Sequence, residues 1–478
     1  MATINPIRFL LNNTEVETTL PPGTIVLDFL RREQRLTGTK EGCREGDCGA
    51  CMILLGELEN GRVVYKPVMS CLLPLGDIAG KHVVTIEGLT GPQLTPIQQA
   101  LVDESAIQCG FCTPGIVIAL TGFFINSNTL KENDAIAAMD GNICRCTGYI
   151  SLKRAARLLS EKFAPMLQED KQEDRLKYLV QWHILPDYFL SVPNRLEKLQ
   201  HAAPSEQAKK RQPLFLVAGG TDLFVQKPDE LLDKKLSFLS YQKDLKIIRI
   251  ENNRCIIGAG ATVEDLRNSS TMRQLFPRID EHLRLISSTP IRHRATVGGN
   301  IVNASPIGDL IIFLLALDAT VVLKKGGRRR DVLLRDFYQG YKKLAKEKDE
   351  IIESVNFPIH QHISFNFEKV SKRTFLDIAS VNSAMLIAVD NGVIETVHLS
   401  AGGVAPIPLY LKKTVQFLQG KKIEESIVRQ ASEIALSEIS PISDVRGSAE
   451  YKSLLLRQLI FAHFIMLCHD YIHEEVLP

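Results

Sequence analysis

The sequence lacks the features that mark secreted, membrane-spanning or nucleic-acid-binding proteins. Its 57 lysines and arginines nearly balance 55 aspartates and glutamates, and a net charge of +2 gives no reason to expect a polyanionic partner. The N-terminal residues MATINPIRFLLNNTEV lack a basic start, an apolar core and a small-residue cleavage site. The most apolar run, Leu310 to Leu323, has 14 residues and includes Asp318, whereas a spanning helix needs about 20 apolar residues. We therefore expect a soluble cytoplasmic protein with no nucleic-acid or membrane partner.

Tryptophan occurs only once, but cysteine occurs ten times in the 478 residues. A chain of this length predicts about three domains at roughly 100–200 residues each. A composition with 45% hydrophobic and 23% charged residues is typical of globular proteins. Because disulfides are rare in reducing compartments, the cysteines need another explanation.

The first cysteine group predicts an iron–sulfur cluster. Cys43, Cys48, Cys51 and Cys71 follow the pattern C-x4-C-x2-C, then 19 residues, then C, which is the plant-type spacing for a [2Fe–2S] cluster. The glycines of this loop let the backbone wrap tightly and direct N–H groups at the sulfurs. The alternatives are a structural zinc site or unrelated buried thiols, but zinc sites favour paired C-x2-C knuckles.

The second group, Cys109, Cys112, Cys144 and Cys146, is less specific by itself. C-G-F-C alone fits a dithiol redox pair or half of a zinc site. Pro114 suits a first helical turn, and an amphipathic stretch follows Thr147, so both pairs are predicted just ahead of helices, whose N-terminal ends favour bound anions. Spacing alone leaves a second cluster and a zinc site equally open.

Two glycine-rich stretches follow later in the chain. Gly219-Gly-Thr-Asp222 comes after a strand-like run and provides N–H groups that can cradle phosphates, although glycine pairs at strand ends are more often plain turns. The stretch from Ala295 to Asp309 combines glycines with Asn300, Ser305 and Asp309, which can bond ribityl or ribose hydroxyls. No G-x-G-x-x-G follows a strand, so a Rossmann nucleotide fold is not expected.

The motifs together resemble a known family. C-R-E-G-D-C-G-A-C, Q-C-G-F-C-T-P-G and C-R-C-T-G-Y, in this order, resemble the iron–sulfur region of the xanthine dehydrogenase (molybdenum hydroxylase) family. A-G-G-T-D, V-G-G-N and S-P-I-G-D resemble the FAD domain of that family and of carbon monoxide dehydrogenase flavoproteins. The resemblance implies two [2Fe–2S] clusters held by the eight cysteines, and FAD. The FAD contacts it implies are Leu216, Val217, Ala218, Gly219, Gly220, Thr221, Asp222, Leu223, Thr296, Gly299, Asn300, Ser305, Asp309, Ile352 and Lys369.

The resemblance also implies an α+β multidomain fold. We expect a β-grasp [2Fe–2S] ferredoxin domain over 1–85, an all-α [2Fe–2S] domain over 86–165, and a charge-rich linker over 166–183. An α+β FAD-binding domain of the PCMH/vanillyl-alcohol-oxidase type is expected over 184–364. An α+β domain like the C-terminal domain of CO dehydrogenase flavoproteins is expected over 365–478. Cys255 and Cys468 are expected to be buried packing thiols.

The expected function is electron transfer without a catalytic residue of the chain's own. In the resembled family the second cluster lies nearest the molybdopterin of a neighbouring domain or subunit, and Gln108 matches the glutamine that faces the pterin. About 110 residues follow the FAD module, too few for molybdenum-binding domains, so we expect a partner subunit to carry substrate oxidation. Electrons would pass from that centre through the second and first clusters to FAD, and then to NAD+.

Two departures from the family pattern bear on the acceptor. His293 follows Arg292 where the family usually has asparagine, and Thr374-Phe375-Leu376 replaces acidic residues on the side where the nicotinamide approaches. FAD binding is expected to survive both changes, whereas the two departures weaken the prediction of NAD+ as the electron acceptor. The alternatives are a stand-alone flavin and iron–sulfur reductase, the small subunit of an aldehyde or N-heterocycle (nicotinate-type) dehydrogenase, or a zinc-stabilised interaction protein.

Overall fold

The structure is a computed structural model that describes residues 6–167, 175–202, 215–360 and 362–473. The strands are β1 Ile7–Leu11, β2 Thr14–Thr18, β3 Met52–Glu59, β4 Arg62–Met69, β5 His82–Val84, β6 Phe215–Val217, β7 Leu236–Phe238, β8 Ile248–Glu251, β9 Arg254–Gly258, β10 Thr320–Lys325, β11 Arg328–Leu333, β12 Tyr338–Gly340, β13 Lys343–Leu344, β14 Ile351–Pro358, β15 Ile363–Val370, β16 Val381–Asp390, β17 Val393–Gly402 and β18 Leu409–Tyr410. The helices are α1 Val26–Asp28, α2 Ile86–Leu89, α3 Pro96–Asp103, α4 Thr113–Asn126, α5 Glu132–Ala138, α6 Ile150–Leu167, α7 Arg175–Gln181, α8 Val192–Ala202, α9 Leu223–Gln226, α10 Pro228–Leu232, α11 Val263–Asn268, α12 Ser270–Leu275, α13 Ile279–Arg284, α14 Thr289–Arg292, α15 Val297–Asn303, α16 Asp309–Leu315, α17 Leu334–Phe337, α18 Lys412–Leu418, α19 Glu425–Glu438 and α20 Ala449–Leu467. Short 3-10 turns include Ser70–Leu72 and Leu75–Ile78.

The chain divides into two compact units. Unit 1 comprises Met1–Phe238 with Ser288–Arg294, and unit 2 comprises Leu239–Ser287 with Ala295–Pro478. Each unit combines helices with sheets, which confirms the predicted α+β class. No helix in the described ranges is long and apolar enough to cross a membrane.

The first sheet of unit 1 has the mixed strand order β2-β1-β5-β3-β4, with β1 and β5 parallel and the other pairs antiparallel. Side chains of successive residues point to opposite faces of a strand. Phe9 and Ile53 accordingly lie in one apolar core with Phe29, whereas Leu10 and Leu54 lie in the other. Both faces of the sheet are therefore covered, and the long helix α4 packs on β3 and β4.

Helices α3 to α6 form the helical part of unit 1. A capping box formed by Thr95 and Gln98 starts α3, which satisfies two of its free N–H groups. Helix α4 begins with Pro114 in its first turn, as predicted, and is apolar almost all round because it packs against α3, α5 and the sheet.

The second half of the predicted linker 166–183 is a packed helix and not a solvated connection. Residues 168–174 lie outside the described residues, but α7 forms a helix with Leu179 and Val180 buried in the unit 1 core. Arg175 donates hydrogen bonds to the carbonyl oxygens of Phe124 and Ser127, at and just beyond the end of α4. The apolar residues recur at helical spacing here, so this stretch packs as an ordered element.

Unit 2 contains two larger antiparallel sheets besides the short antiparallel pair β12-β13. The first has the order β11-β10-β14-β9-β8, and helix α15 packs on β14 and β9. The second has the order β15-β16-β17-β18; α20 packs on β15 and β16, while α16 packs on β16 and β17. The apolar run from Leu310 to Leu323 forms most of α16 and the first half of β10, so it is a buried element as expected.

The segment Ser288–Arg294 belongs to unit 1 although the residues before and after it belong to unit 2. Its Arg292 forms an ion pair of 2.9 Å with Asp140, and both side chains are less than 5% exposed. Asp140 also accepts hydrogen bonds from the backbone N–H and the hydroxyl of Thr289. We name residues 288–294 the anchor segment, because buried charges fix it in place.

Removal of the Asp140 carboxylate should destabilise unit 1. Asp140→Ala leaves the buried Arg292 guanidinium without its counter-charge, which typically costs about 3–5 kcal/mol. We expect a lower midpoint of chemical unfolding, measured by circular dichroism. Glu161→Ala is the control, because the Arg157–Glu161 pair is largely exposed and such pairs contribute little. Equal midpoints for the two variants would contradict the importance of the anchor.

Candidate redox centres

The first cysteine group lies in one loop and one short turn of unit 1. Cys43, Cys48 and Cys51 occupy the loop before β3, and Cys71 lies in the 3-10 turn after β4. The backbone N–H groups of Glu45 and Asp47 each donate to Cys43 Sγ at 3.3 Å. The N–H of Cys43 donates to Cys48 Sγ at 3.4 Å. The loop thus directs N–H dipoles at the sulfurs, as the sequence predicted.

Two glycines allow this loop to close. Gly46 has φ of +81°, and a Cβ there would lie 2.7 Å from the Leu72 side chain and 2.8 Å from that of Ile291. Gly49 has φ of +73°, and its Cβ would lie 2.4 Å from the carbonyl oxygen of Gly141. A larger residue would be strained at both places and would collide with its neighbours.

The thiols of the first group interact in pairs. The pKa of Cys43 is lowered to about 5. The largest cause is the hydrogen bond with Cys48; burial opposes it, and backbone N–H donors contribute to the lowering. A hydrogen bond with Cys71 likewise lowers the pKa of Cys51. The other thiol of each hydrogen bond, Cys48 or Cys71, has its pKa raised. One thiol of each pair therefore favours the thiolate form, which is the form that ligates metal.

The second group lies just ahead of two helices, as predicted. Cys112 is the N-cap residue of α4, and Cys144 and Cys146 lie in the loop before α6. Cys146 Sγ lies 3.5 Å from Cys109 Sγ, and Cys112 hydrogen-bonds Cys144. Cys109 and Cys146 are exposed, whereas Cys144 is buried.

The pairing fits a binuclear cluster. Each iron of a [2Fe–2S] cluster takes two protein ligands, and the eight thiols form the pairs Cys43/Cys48, Cys51/Cys71, Cys109/Cys146 and Cys112/Cys144.

Cys255 and Cys468 lie apart from both groups. Cys255 is on β9 and Cys468 follows α20, and both are buried. Burial raises the pKa of each to about 12, so they stay protonated packing thiols, as expected.

The loops of the two cysteine groups touch through the backbone. The N–H of Ile143 donates to the carbonyl oxygen of Cys48 at 3.0 Å, and the Asn142 side chain donates to the carbonyl of Gly49 at 3.3 Å. A Cβ on Gly115, in the first turn of α4, would lie 2.1 Å from that same carbonyl oxygen. Residues next to ligands of one group are therefore bonded directly to a ligand of the other.

Gln108 lies beside the exposed pair of the second group. Its side-chain amide donates to the carbonyl oxygen of Cys146 at 3.2 Å. Five residues that lie within four positions of these cysteines in the sequence are exposed, with 36–65% of each accessible: Ile107, Phe111, Ile143, Tyr149 and Ile150. We name these five residues the apolar rim.

The first predicted FAD loop lies in unit 1. Residues 216–223 run from β6 through a turn into α9, and Gly220 has φ of +77° with Phe224 packed against it. Strand β6 pairs in parallel with β7, which fixes the start of the loop. Leu216 and Asp222 are exposed, whereas Gly219 is buried. A ligand can therefore contact the exposed side chains of this loop as well as the backbone of its turn.

The remaining predicted FAD residues lie in unit 2. Thr296 is the N-cap of α15 and accepts a hydrogen bond from the N–H of Gly299, while the Asn300 amide donates to the Thr296 carbonyl. Ser305 and Asp309 follow in the loop and first turn of α16. Ile352 is buried in β14, the strand on which α15 packs.

Lys369 is a buried side chain rather than a surface lysine. Its ammonium group lies 2.8 Å from Asp309 Oδ2 and donates to the carbonyl oxygen of Leu285 at 2.7 Å, and its side chain is only 1% exposed. Asn382 donates to the other oxygen of Asp309 at 2.5 Å and to the carbonyl of Ile307 at 3.1 Å. The structure therefore brings the predicted residues Asp309 and Lys369 into one network.

Four family models match separate parts of the chain. They are a 2Fe-2S iron–sulfur cluster binding domain at residues 9–75, a [2Fe-2S] binding domain at 85–157, the FAD binding domain in molybdopterin dehydrogenase at 190–360, and the CO dehydrogenase flavoprotein C-terminal domain at 367–467. Xanthine dehydrogenase of Emericella nidulans is 29% identical, over 90% of this chain and 36% of that protein. Over these matches the chain is similar to the xanthine dehydrogenase (molybdenum hydroxylase) family. It carries two [2Fe–2S] domains and an FAD-binding domain.

Other proteins show the same similarity. Xanthine dehydrogenase 1 of Arabidopsis thaliana is 28% identical over 96% of this chain and 40% of its own length, and aldehyde oxidase of Homo sapiens is 25% identical over 96% and 39%. The solved structure of reconstituted CO dehydrogenase from Oligotropha carboxidovorans has a TM-score of 0.50 and 26% identity, covering 54% of this chain and 90% of that chain. The chain spans about 36–40% of the length of these curated relatives.

Sequence reasoning missed several residues that hold the site. Asn382 is buried at the start of β16, and nothing in its sequence context distinguishes it from a packing residue. Arg294 directly precedes the second glycine-rich stretch, but its partners Asp77 and Gly219 lie far away in the sequence.

Cys146→Ser should remove the second centre and spare the first. The iron content should fall from about four to about two atoms per chain, because a [2Fe–2S] cluster needs its four thiolates. Iron and acid-labile sulfide assays, with electron paramagnetic resonance of the reduced protein, measure this. Cys255→Ala is the control and should keep all the iron. Equal losses in the two variants would overturn the ligand assignment.

Proposed function

We propose that this chain is the electron-transfer component of a xanthine dehydrogenase-like molybdenum hydroxylase. It takes electrons from a molybdopterin centre on a partner subunit, through the second and then the first cluster, and delivers them to FAD and to NAD+. The hydrogen bond from Ile143 to Cys48 is the observation that carries the proposal, because it joins the two cluster loops directly. Electron transfer between centres falls steeply with distance, so this contact favours a relay.

The order of the relay follows from exposure. The pair Cys109/Cys146 is exposed, while Cys51 and Cys71 of the first group are buried. The second cluster is thus the one that an external donor can approach. Gln108 contacts Cys146 of that exposed pair, and the exposed residues of the apolar rim lie close to the same cysteines in the sequence. Exposed apolar patches are typical of protein interfaces.

The chain's own residues contribute by holding the redox groups and their charge. The clusters exchange single electrons and FAD collects two. The cysteine thiolates hold the clusters, and the N–H groups of Glu45 and Asp47 offset negative charge at Cys43. Lys369, fixed by Asp309, places a positive charge where the family resemblance puts the flavin, and that charge favours the reduced anionic form.

NAD+ is the proposed acceptor, and the partner's substrate is proposed as a purine, an aldehyde or an N-heterocycle. The relatives named xanthine dehydrogenase and aldehyde oxidase support the first two substrate classes. Phe375 is 37% exposed, and positions 374–376 lack the acidic residues that xanthine dehydrogenases carry there, which weighs against NAD+. A cytoplasmic location belongs to the same proposal, because eight ligand thiols must escape disulfide formation.

The apolar rim should bind the molybdopterin subunit. Ile150 is 65% exposed beside the second cluster, so Ile150→Asp places a charge in the proposed interface and should weaken association about 10-fold or more. Co-purification with a molybdenum-containing subunit and analytical ultracentrifugation measure this. Leu454→Asp is the control, since Leu454 is 52% exposed on α20 of unit 2. A chain that purifies without molybdenum and reduces acceptors by itself would instead favour a stand-alone reductase.

NADH should reduce the flavin of the purified protein. The reaction is the reverse of the proposed last step, so stopped-flow mixing should bleach the flavin band rapidly. Dithionite provides the control for full reduction. A flavin that dithionite bleaches and NADH leaves oxidised would rule out NAD+ as the acceptor.

A further inference from the structure

The anchor segment carries a second buried arginine besides Arg292. Arg294 lies 2.6 Å from Asp77, and it donates from its other terminal nitrogen to the carbonyl oxygen of Gly219 at 2.8 Å. The side chain of Asp77 is fully buried, and that of Arg294 is 9% exposed. One guanidinium thus joins the domain of the first cluster to the first predicted FAD loop, and all three residues belong to unit 1.

The Asp77 end of this contact is rigid. Asp77 lies in the turn Leu75–Ile78, six residues after the ligand Cys71, and both Leu75 and Ile78 are fully buried. Lys81 contacts Asp77 at 3.3 Å and Glu57 at 2.8 Å. Arg294 therefore binds a carboxylate that two buried neighbours and a second cation already hold in place.

The base of the FAD loop meets the same turn. Strand β7, the partner of β6, ends at Phe238, whose ring packs so closely on Gly76 that a Cβ there would lie 2.3 Å from it. The loop is thus held at its base by Phe238 and at Gly219 by Arg294. These two contacts, made at different points of the FAD loop region, both lead to the turn Leu75–Ile78 and together fix the position of the loop relative to that turn.

The anchor segment also contacts the cluster loop itself. The Ile291 side chain lies against Gly46, which lies between the ligands Cys43 and Cys48 in the sequence. Arg294 follows Ile291 by three residues, and the second predicted FAD stretch begins two residues later at Thr296. The segment therefore connects the first cluster loop with both predicted FAD stretches, one through a hydrogen bond and the other through the covalent chain.

We propose that Arg294 is a positioning residue that fixes the FAD loop at residues 216–223 relative to the first cluster and so sets the rate of electron transfer to the flavin. This inference rests on the proposed function. This role requires no contact between Arg294 and either cofactor. It acts through the Gly219 carbonyl, and Asp77 supplies the fixed point.

The test measures electron transfer inside the intact protein. Rapid photoreduction of the clusters, followed by absorbance of clusters and flavin, gives the cluster-to-flavin rate without any substrate. Arg294→Met removes both contacts and should slow this rate several-fold or more, because electron transfer between centres falls steeply with distance. Arg294→Lys keeps the charge beside Asp77 but cannot hold both partners, so its rate should lie between those of the wild type and Arg294→Met.

Arg154→Met is the matched control. Arg154 also donates to a carboxylate and to a backbone carbonyl, both of Glu104, but on an exposed face of unit 1. Its variant should transfer electrons at the wild-type rate. The midpoint potentials of the flavin and the clusters are measured in parallel. Loss of a nearby charge would shift these potentials, whereas loss of a positioning contact would slow electron transfer without shifting them. A slow Arg294→Lys with unchanged potentials supports positioning.

The outcomes are distinguishable. Loss of FAD from Arg294→Met with both clusters retained also supports the role, because the variant then fails to hold the loop. Wild-type transfer rates in both Arg294 variants, with full FAD content, overturn the inference and leave the proposed function intact. Absence of cluster-to-flavin transfer in the wild-type protein overturns both.

Discussion

The structure of unit 1 depends on one close approach between backbones. The carbonyl oxygen of Gly49, in the first cluster loop, lies where a Cβ on Gly115 would be, and the Gly141 carbonyl lies where a Cβ on Gly49 would be. Only glycine permits such packing. It brings Cys48 within hydrogen-bonding distance of Ile143, the residue before Cys144. The proposed relay between the two clusters depends on two positions that carry no side chain, Gly49 and Gly115.

Buried charge supplies a second level of organisation. Asp140 with Arg292, and Asp77 with Arg294, hold seven residues of the FAD-domain sequence inside the unit that binds the clusters. Burial of charge is costly, and it is tolerated where each charge has a partner and further hydrogen bonds. Such pairs fix direction more strictly than apolar contacts do. They suit a molecule whose task is to keep redox centres at set distances.

In unit 2, the same logic appears around Asp309. Its two oxygens are taken by Lys369 and Asn382, so the carboxylate predicted to bond a ribose or ribityl hydroxyl is also the support of the predicted flavin lysine. A residue with two such roles leaves little freedom for substitution. Positions 374–376, where Phe375 is exposed, lack the acidic residues of the family pattern, on the side where the resemblance places the nicotinamide.

The sequence by itself predicted the first group of cysteine ligands and the helices that follow the second group, because these depend on spacing and periodicity within short stretches. The resemblance of the ordered motifs to a known family implied the second group of ligands, the α+β class and both kinds of cofactor. It misjudged the second half of the linker, where three apolar residues at helical spacing form α7. Tertiary structure alone decided the pairing of thiols, the contact between the cluster loops and the roles of Asp77, Asp140, Arg294 and Asn382. Those residues lie tens to hundreds of positions from their partners, and no local pattern encodes which distant charge a buried side chain will meet.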